Sequence, residues 1–254
     1  MSYPFNPNLY TTPPPNYNPF PGHHEHHVHH HHHQHQNSIS HNYNTHTGTM
    51  YDSTPVPHTD TFKIVMILDE SGSMDCIRNK MITSINSLIT EQQQVPGRET
   101  TFTLVKFSDG IKRVIENKPL NQVKLLTPEH YMPNGSTALF DAIGDTISWF
   151  RNEKDVLVVI VTDGQENASH RFSRTMINNM IEDKQKNNNW TYVYLSNDLS
   201  TAKQGDSIGC TTSRVASNCV VEQESFGDYI STQLNSAIGN FRCKGVSVQS
   251  QLNH

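Results

Sequence analysis

Hydrophobic and polar positions alternate in recognisable patterns only from about Thr61 onward. Phe62-Lys63-Ile64-Val65-Met66-Ile67-Leu68-Asp69 is a short, nearly continuous apolar run ending at a polar turn, which predicts a strand buried on both faces. Ile77, Met81, Ile82, Ile85, Leu88 and Ile89 then recur at helical spacing, and Pro96-Gly97 stops that helix. Over Thr101–Phe107, Phe102, Leu104 and Lys106 alternate with Thr103, Val105 and Phe107; with Asp109-Gly110 as the turn, this predicts a hairpin with Ile111–Glu116. A loop through Thr127–Ser136 leads into a helix with Leu139, Ala142, Ile143, Thr146, Ile147 and Phe150 on one face. Asp155–Thr162 is the most apolar strand, expected at the centre of the sheet. Ser173–Lys186 reads as a helix with Met176, Ile177, Met180 and Ile181 inward, and Trp190–Leu195 as another strand. The signal weakens over Ile208–Ser217, where a short edge strand is expected, before Phe226, Tyr229, Ile230, Leu234, Ile238 and Phe241 step along a closing helix. Strands alternating with helices predict an α/β fold: a mostly parallel sheet with helices on both faces, and one antiparallel strand at an edge from the hairpin.

The first sixty residues follow none of these patterns. They hold no Lys or Arg, nine of the 13 prolines and thirteen of the 16 histidines. So little aliphatic surface does not offset the entropy of ordering, so residues 1–60 are expected to form a disordered tail, ahead of a domain over 61–242 and a short tail over 243–254. Ten histidines fall between His23 and His35, interrupted by Glu25, Val28 and Gln34. Three readings stay open for them: low-complexity drift, loose binding of zinc, nickel or copper, and a polycation that charges below a pH of about 6.5.

Charge narrows the partners. Residues 61–254 carry all 19 Lys+Arg against 21 Asp+Glu, a balance that leaves no footprint for nucleic acid or an anionic membrane. Met1–Tyr10 lacks a basic and then apolar leader, and the longest apolar run, Val156–Val161, falls far short of the ~20 residues of a membrane span. The expectation is a soluble, cytoplasmic protein. Cys76, Cys210, Cys219 and Cys243 form no C-x-x-C pair and read as buried free thiols.

Three loops carry the candidate chemistry. Asp69-Glu70-Ser71-Gly72-Ser73-Met74 follows the first strand, Asn134-Gly135-Ser136-Thr137-Ala138-Leu139 opens a helix, and Thr162-Asp163-Gly164 follows the apolar strand. Ligands of open α/β sheets bind outside the carboxyl ends of the strands, where Asp69, Ser71, Ser73, Thr137 and Asp163 would converge. Two carboxylates and three hydroxyls, without thiolate or imidazole, suit Mg²⁺, Mn²⁺ or Ca²⁺ and disfavour zinc. With only two negative charges opposing it, a dication would stay electrophilic and keep a position open for a carboxylate from a partner.

In their order and spacing, D-E-S-G-S-M, G-S-T-A-L and T-D-G resemble the von Willebrand factor A family over roughly Thr61–Arg242. The resemblance implies a Rossmann-like sheet and a metal-ion-dependent adhesion site at Asp69, Ser71, Ser73, Thr137 and Asp163, all of which are present. Leu139–Ile143 and Asp163–Ser169 look most like the stand-alone intracellular domains of bacteria and large DNA viruses. Glu70, Asp141, Glu166 and Asn167 lie beside the motifs, either as rim or outer support of the site or as solvated loop residues. The expected function is a cation-dependent protein-binding module, not an enzyme, taking Mg²⁺ (or Mn²⁺ or Ca²⁺) and an Asp or Glu carboxylate of a protein partner. Metal handling by the histidine-rich tail is the alternative. A metal-dependent hydrolase has less support: G-x-S-x-G and the P-loop and dinucleotide motifs are absent, and the ordered region offers only His130 and His170 as bases besides His254.

Overall fold

The computed structural model describes residues 61–196, 199–210, 229–245, 248 and 251; the tail over 1–60, Phe226 and Cys219 lie outside them. The apolar run becomes β1 (Phe62–Asp69), followed by a 3₁₀ turn (Gly72–Ile77) and α1 (Arg78–Gln94). β2 (Thr100–Phe107) and β3 (Ile111–Pro119) form the hairpin, and α2 (Leu139–Trp149), β4 (Val156–Val161), α3 (Arg174–Asn188) and β5 (Thr191–Leu195) follow in alternation. α4 (Leu199–Ser207) comes next, and a π-helical turn (Ile230–Leu234) leads into α5 (Asn235–Lys244).

The strands lie in the order β3-β2-β1-β4-β5, parallel except for the antiparallel β2–β3 pair at the edge. This is the Rossmann-like α/β arrangement that the alternation predicts. β1 takes the central place expected for Asp155–Thr162, with the wholly buried β4 beside it. Alternate side chains of β1 feed two cores: Ile64, Met66 and Leu68 pack with α1 and α5, whereas Val65 and Ile67 pack with α2 and α3. β3 outruns its expected end at Glu116 through a bulge, where Asn117 takes a positive φ of 41° and donates its N–H to Thr103 Oγ1 at 2.9 Å.

The edge strand expected over Ile208–Ser217 and the burial expected for every cysteine need correcting. Ile208, Gly209 and Cys210 close α4 as a turn and not as an edge strand; the rest of that stretch, 211–217, lies outside the described residues. α4 itself escaped notice because Leu199–Ser207 has little apolar periodicity and contains Gly205, which weakens a helix. Of the described cysteines only Cys210 is buried, its thiol pushed well up by desolvation, while Cys76 and Cys243 are exposed. Order also continues past Arg242: α5 runs to Lys244, and Val248 is buried in the α1 core. Gly97 fits this packing, since a Cβ there would lie 2.5 Å from the Arg242 carbonyl oxygen. Among the described residues, no helix is long and apolar enough to cross a membrane.

Candidate metal centre

β1 ends at the carboxyl edge of the sheet between β2 and β4, and delivers Asp69 there with none of its surface exposed. The Asp69 carboxylate is held from two sides. Ser71 N–H donates to Oδ1 at 2.7 Å, turning the chain sharply, and Thr162 Oγ1 donates to Oδ2 at 2.6 Å across from the end of β4. The turn brings the Ser71 and Ser73 hydroxyls within 3.2 Å of each other, and Ser73 Oγ donates to Asp163 Oδ1 at 2.6 Å.

Thr137 reaches the same place from the start of α2. A Cβ on Gly164 would lie 2.8 Å from Thr137 Oγ1 and 3.6 Å from Asp69 Oδ2, so both groups border this glycine and leave no room for a side chain. The five residues expected to share a site are thus brought together at one edge of the sheet, on three loops that follow β1, precede α2 and follow β4.

Electrostatics distinguish this pocket from an ordinary polar turn. Among the described residues neither Asp69 nor Asp163 has a cationic side chain within ion-pair distance. Burial pushes the Asp69 carboxyl up to about 6, against the hydrogen bonds from Thr162 and Ser71 that pull it down. Burial raises Asp163 too. Two desolvated carboxylates ringed by hydroxyl oxygens, with no internal counter-charge, fit a hard divalent cation. No three His, Cys, Asp or Glu side chains gather at one place among the described residues.

The neighbouring polar residues support the loops. Glu70 Oε1 accepts from Lys106 Nζ at 2.5 Å and from the Met132 N–H at 2.8 Å. Asn167 Oδ1 accepts the Thr137 N–H at 2.9 Å, and the Thr137 carbonyl accepts the Asn167 N–H at 3.1 Å. Glu166 takes the Phe140 N–H at the start of α2 at 2.9 Å, together with the Ala168 and Ser169 N–H groups. Asp141 accepts three successive N–H groups, from His170, Arg171 and Phe172, at 2.9–3.0 Å. Sequence reasoning missed Tyr131, whose hydroxyl donates to the Asp69 carbonyl at 2.6 Å, and Gln204 of α4, which accepts the Glu166 N–H at 2.9 Å. No local pattern marks either residue. Thr162 stood within the T-D-G motif, but its bond to Asp69 spans 93 positions and has no signal in spacing.

No family model matches the sequence, and no curated protein matches it. Solved structures do. Proximal thread matrix protein 1 from the mussel byssus is 18% identical with a TM-score of 0.51, over 72% of this chain and 46% of that one. The ArnB paralog VWA2 from Sulfolobus acidocaldarius is 18% identical with a TM-score of 0.45, over 69% and 44%. A von Willebrand factor type A protein from Catenulispora acidiphila is 16% identical with a TM-score of 0.43, over 67% and 42%. The chain therefore spans less than half the length of each of these chains. At such identities the likeness concerns the fold alone: the five-stranded, mostly parallel α/β sheet is shared with proximal thread matrix protein 1.

Proposed function

We propose that this chain is a protein-binding module that works through a divalent cation held by Asp69, Ser71, Ser73, Thr137 and Asp163. The observation that carries this reading is a pair of carboxylates, the buried Asp69 and the half-buried Asp163, set among hydroxyls and lacking an ion-pair partner among the described residues. A bound Mg²⁺, or Mn²⁺ or Ca²⁺, would supply Lewis acidity toward an oxygen donor from outside. Asp69 and Asp163 supply the negative charge that retains the ion. Ser71, Ser73 and Thr137 supply neutral oxygens that leave its positive charge partly uncompensated, so a carboxylate of an Asp or Glu on a protein partner completes the coordination. The module is a binder and not an enzyme on this reading: among the described residues neither His130 nor His170 is hydrogen-bonded to Ser71 or Ser73. The chain belongs, on this proposal, with the stand-alone intracellular members of its fold.

Affinity capture with the full chain tests the reading. Partners should be retained in Mg²⁺ and released by EDTA, and the Asp69→Ala chain should retain none of them. Capture that survives both EDTA and Asp69→Ala would sink the proposal. Loss of capture on deleting residues 23–35, with Asp69→Ala harmless, would transfer the function to the histidine-rich segment.

A further inference from the structure

The loop before α2 does more than deliver Thr137. Tyr131 is fully buried, yet its hydroxyl reaches across to the carbonyl of Asp69 at 2.6 Å. That carbonyl sits at the end of β1, where the strand ladder gives out, and a buried carbonyl without a donor is costly. One residue on, Glu70 ties the two loops with both its side chain and its backbone. Its carboxylate accepts the Met132 N–H at 2.8 Å, and its carbonyl accepts the Asn134 N–H at 2.8 Å. Lys106 clamps the arrangement by donating to Glu70 Oε1 at 2.5 Å and to the His130 carbonyl at 2.7 Å. Arg78, at the start of α1, holds Tyr131 itself through its carbonyl at 2.8 Å. Finally, the Gly72 N–H donates to the Gly135 carbonyl at 3.1 Å, two residues short of Thr137.

We propose that Tyr131 and Glu70 are positioning residues that hold the 69–73 loop and Thr137 in register for the cation. This inference rests on the cation reading above. Both residues are engaged with the loops themselves: the Tyr131 hydroxyl with the Asp69 backbone, and Glu70 Oε1 with Lys106 and Met132. The Tyr131 bond fixes the peptide that carries the Asp69 side chain and, two residues on, the Ser71 N–H that closes on it. Loss of the bond would free that peptide to rotate while the aromatic ring stays packed. Groups that orient metal ligands from outside typically contribute 10- to 100-fold to metal affinity.

Manganese provides the test, because the signal of free Mn²⁺ in electron paramagnetic resonance reports binding without any partner. The full chain is titrated, with Asp69→Ala as the background for binding elsewhere on it. Tyr131→Phe and Glu70→Ala should each weaken the Asp69-dependent site about 10- to 100-fold. Glu70→Gln, which keeps an oxygen for the Met132 N–H, should stay close to the unmodified chain. Thermal unfolding in EDTA, run alongside, should show Tyr131→Phe losing the stability of one buried hydrogen bond yet fully folded at the temperature of the titration, so that lost affinity is separated from lost fold. If Tyr131→Phe and Glu70→Ala both bind as tightly as the unmodified chain, the positioning role is overturned and the cation reading stands. Equal losses for Glu70→Gln and Glu70→Ala would assign Glu70 a direct charge effect on the ion and remove it from the proposal. An unmodified chain that binds no more Mn²⁺ than Asp69→Ala overturns the cation reading and the positioning role with it.

Discussion

Asp69 and Asp141 are both buried carboxylates near the start of α2, and their surroundings treat them in opposite ways. Around Asp141, burial alone would raise the carboxyl, but the N–H groups of His170, Phe172 and Arg171, with the Arg171 guanidinium nearby, hold it below its ordinary value. Around Asp69, burial wins over the bonds from Thr162 and Ser71, and no cation stands in range among the described residues. Burial is common to the two, so burial does not mark a binding site. The mark is charge left without compensation. Asp141 is a staple that fastens residues 170–172 to α2, whereas Asp69 has no cation beside it among the described residues, and on the proposed reading a metal ion would fill that role.

Mutation of the staple should give the largest effect. Asp141→Ala leaves three backbone N–H groups without their acceptor and should cost about 4 kcal/mol of stability, equally with and without Mg²⁺, in chemical denaturation. Unfolding of the metal-free chain against pH should separate the two carboxylates next. The Asp69 carboxyl is raised to about 6, so between its ordinary value of 3.8 and that point the folded state holds more protons than the unfolded one. Stability in EDTA should therefore fall as pH rises through this window, by about 3 kcal/mol from Asp69, and Asp69→Asn should remove that part and leave the fall that the raised Asp163 contributes. Asp141 has the opposite sign: its contribution is present above 3.8 and is lost as pH drops through its lowered folded value.

Cation-linked stability comes third. Mg²⁺ at about a hundred times its dissociation constant should stabilise the unmodified chain by about 2.7 kcal/mol and leave Asp69→Asn unmoved, an outcome that calorimetry in Mg²⁺ and EDTA would check. Equal stabilisation of both chains would dissolve the contrast between the two aspartates. The smallest effect should come from Gly164→Ala. Its methyl group would sit 2.8 Å from Thr137 Oγ1, costing about 1–2 kcal/mol by crowding and shrinking the Mg²⁺ increment by displacing one hydroxyl.

How much of this was legible follows from what a local pattern can carry. β1 announced itself because a strand buried on both faces needs an uninterrupted apolar run, and α2 because its inward face repeats at helical period. The β2–β3 hairpin followed from a two-residue turn signal between strands, although the bulge at Asn117 did not. α4 was read past since a short helix carrying Gly205 has too few apolar positions to show a period. The candidate ligands stood out because the D-x-S-x-S loop is contiguous, and the other two loops sit at element boundaries that the pattern had already located.

Sequence alone thus determined the strands and helices that periodicity can express, the edge at which three polar loops would meet, and the hard-oxygen character of the groups on them. Tertiary structure decided which carboxylates are compensated. Asp141 meets its donors 29 to 31 positions away, Tyr131 meets Asp69 across 62, and Thr162 meets Asp69 across 93. Such partners are chosen by how the loops cross once the sheet has formed. An aspartate that ends a strand and one that opens a helix look alike as residues, and only the number of N–H groups and cations that folding brings to each sets them apart.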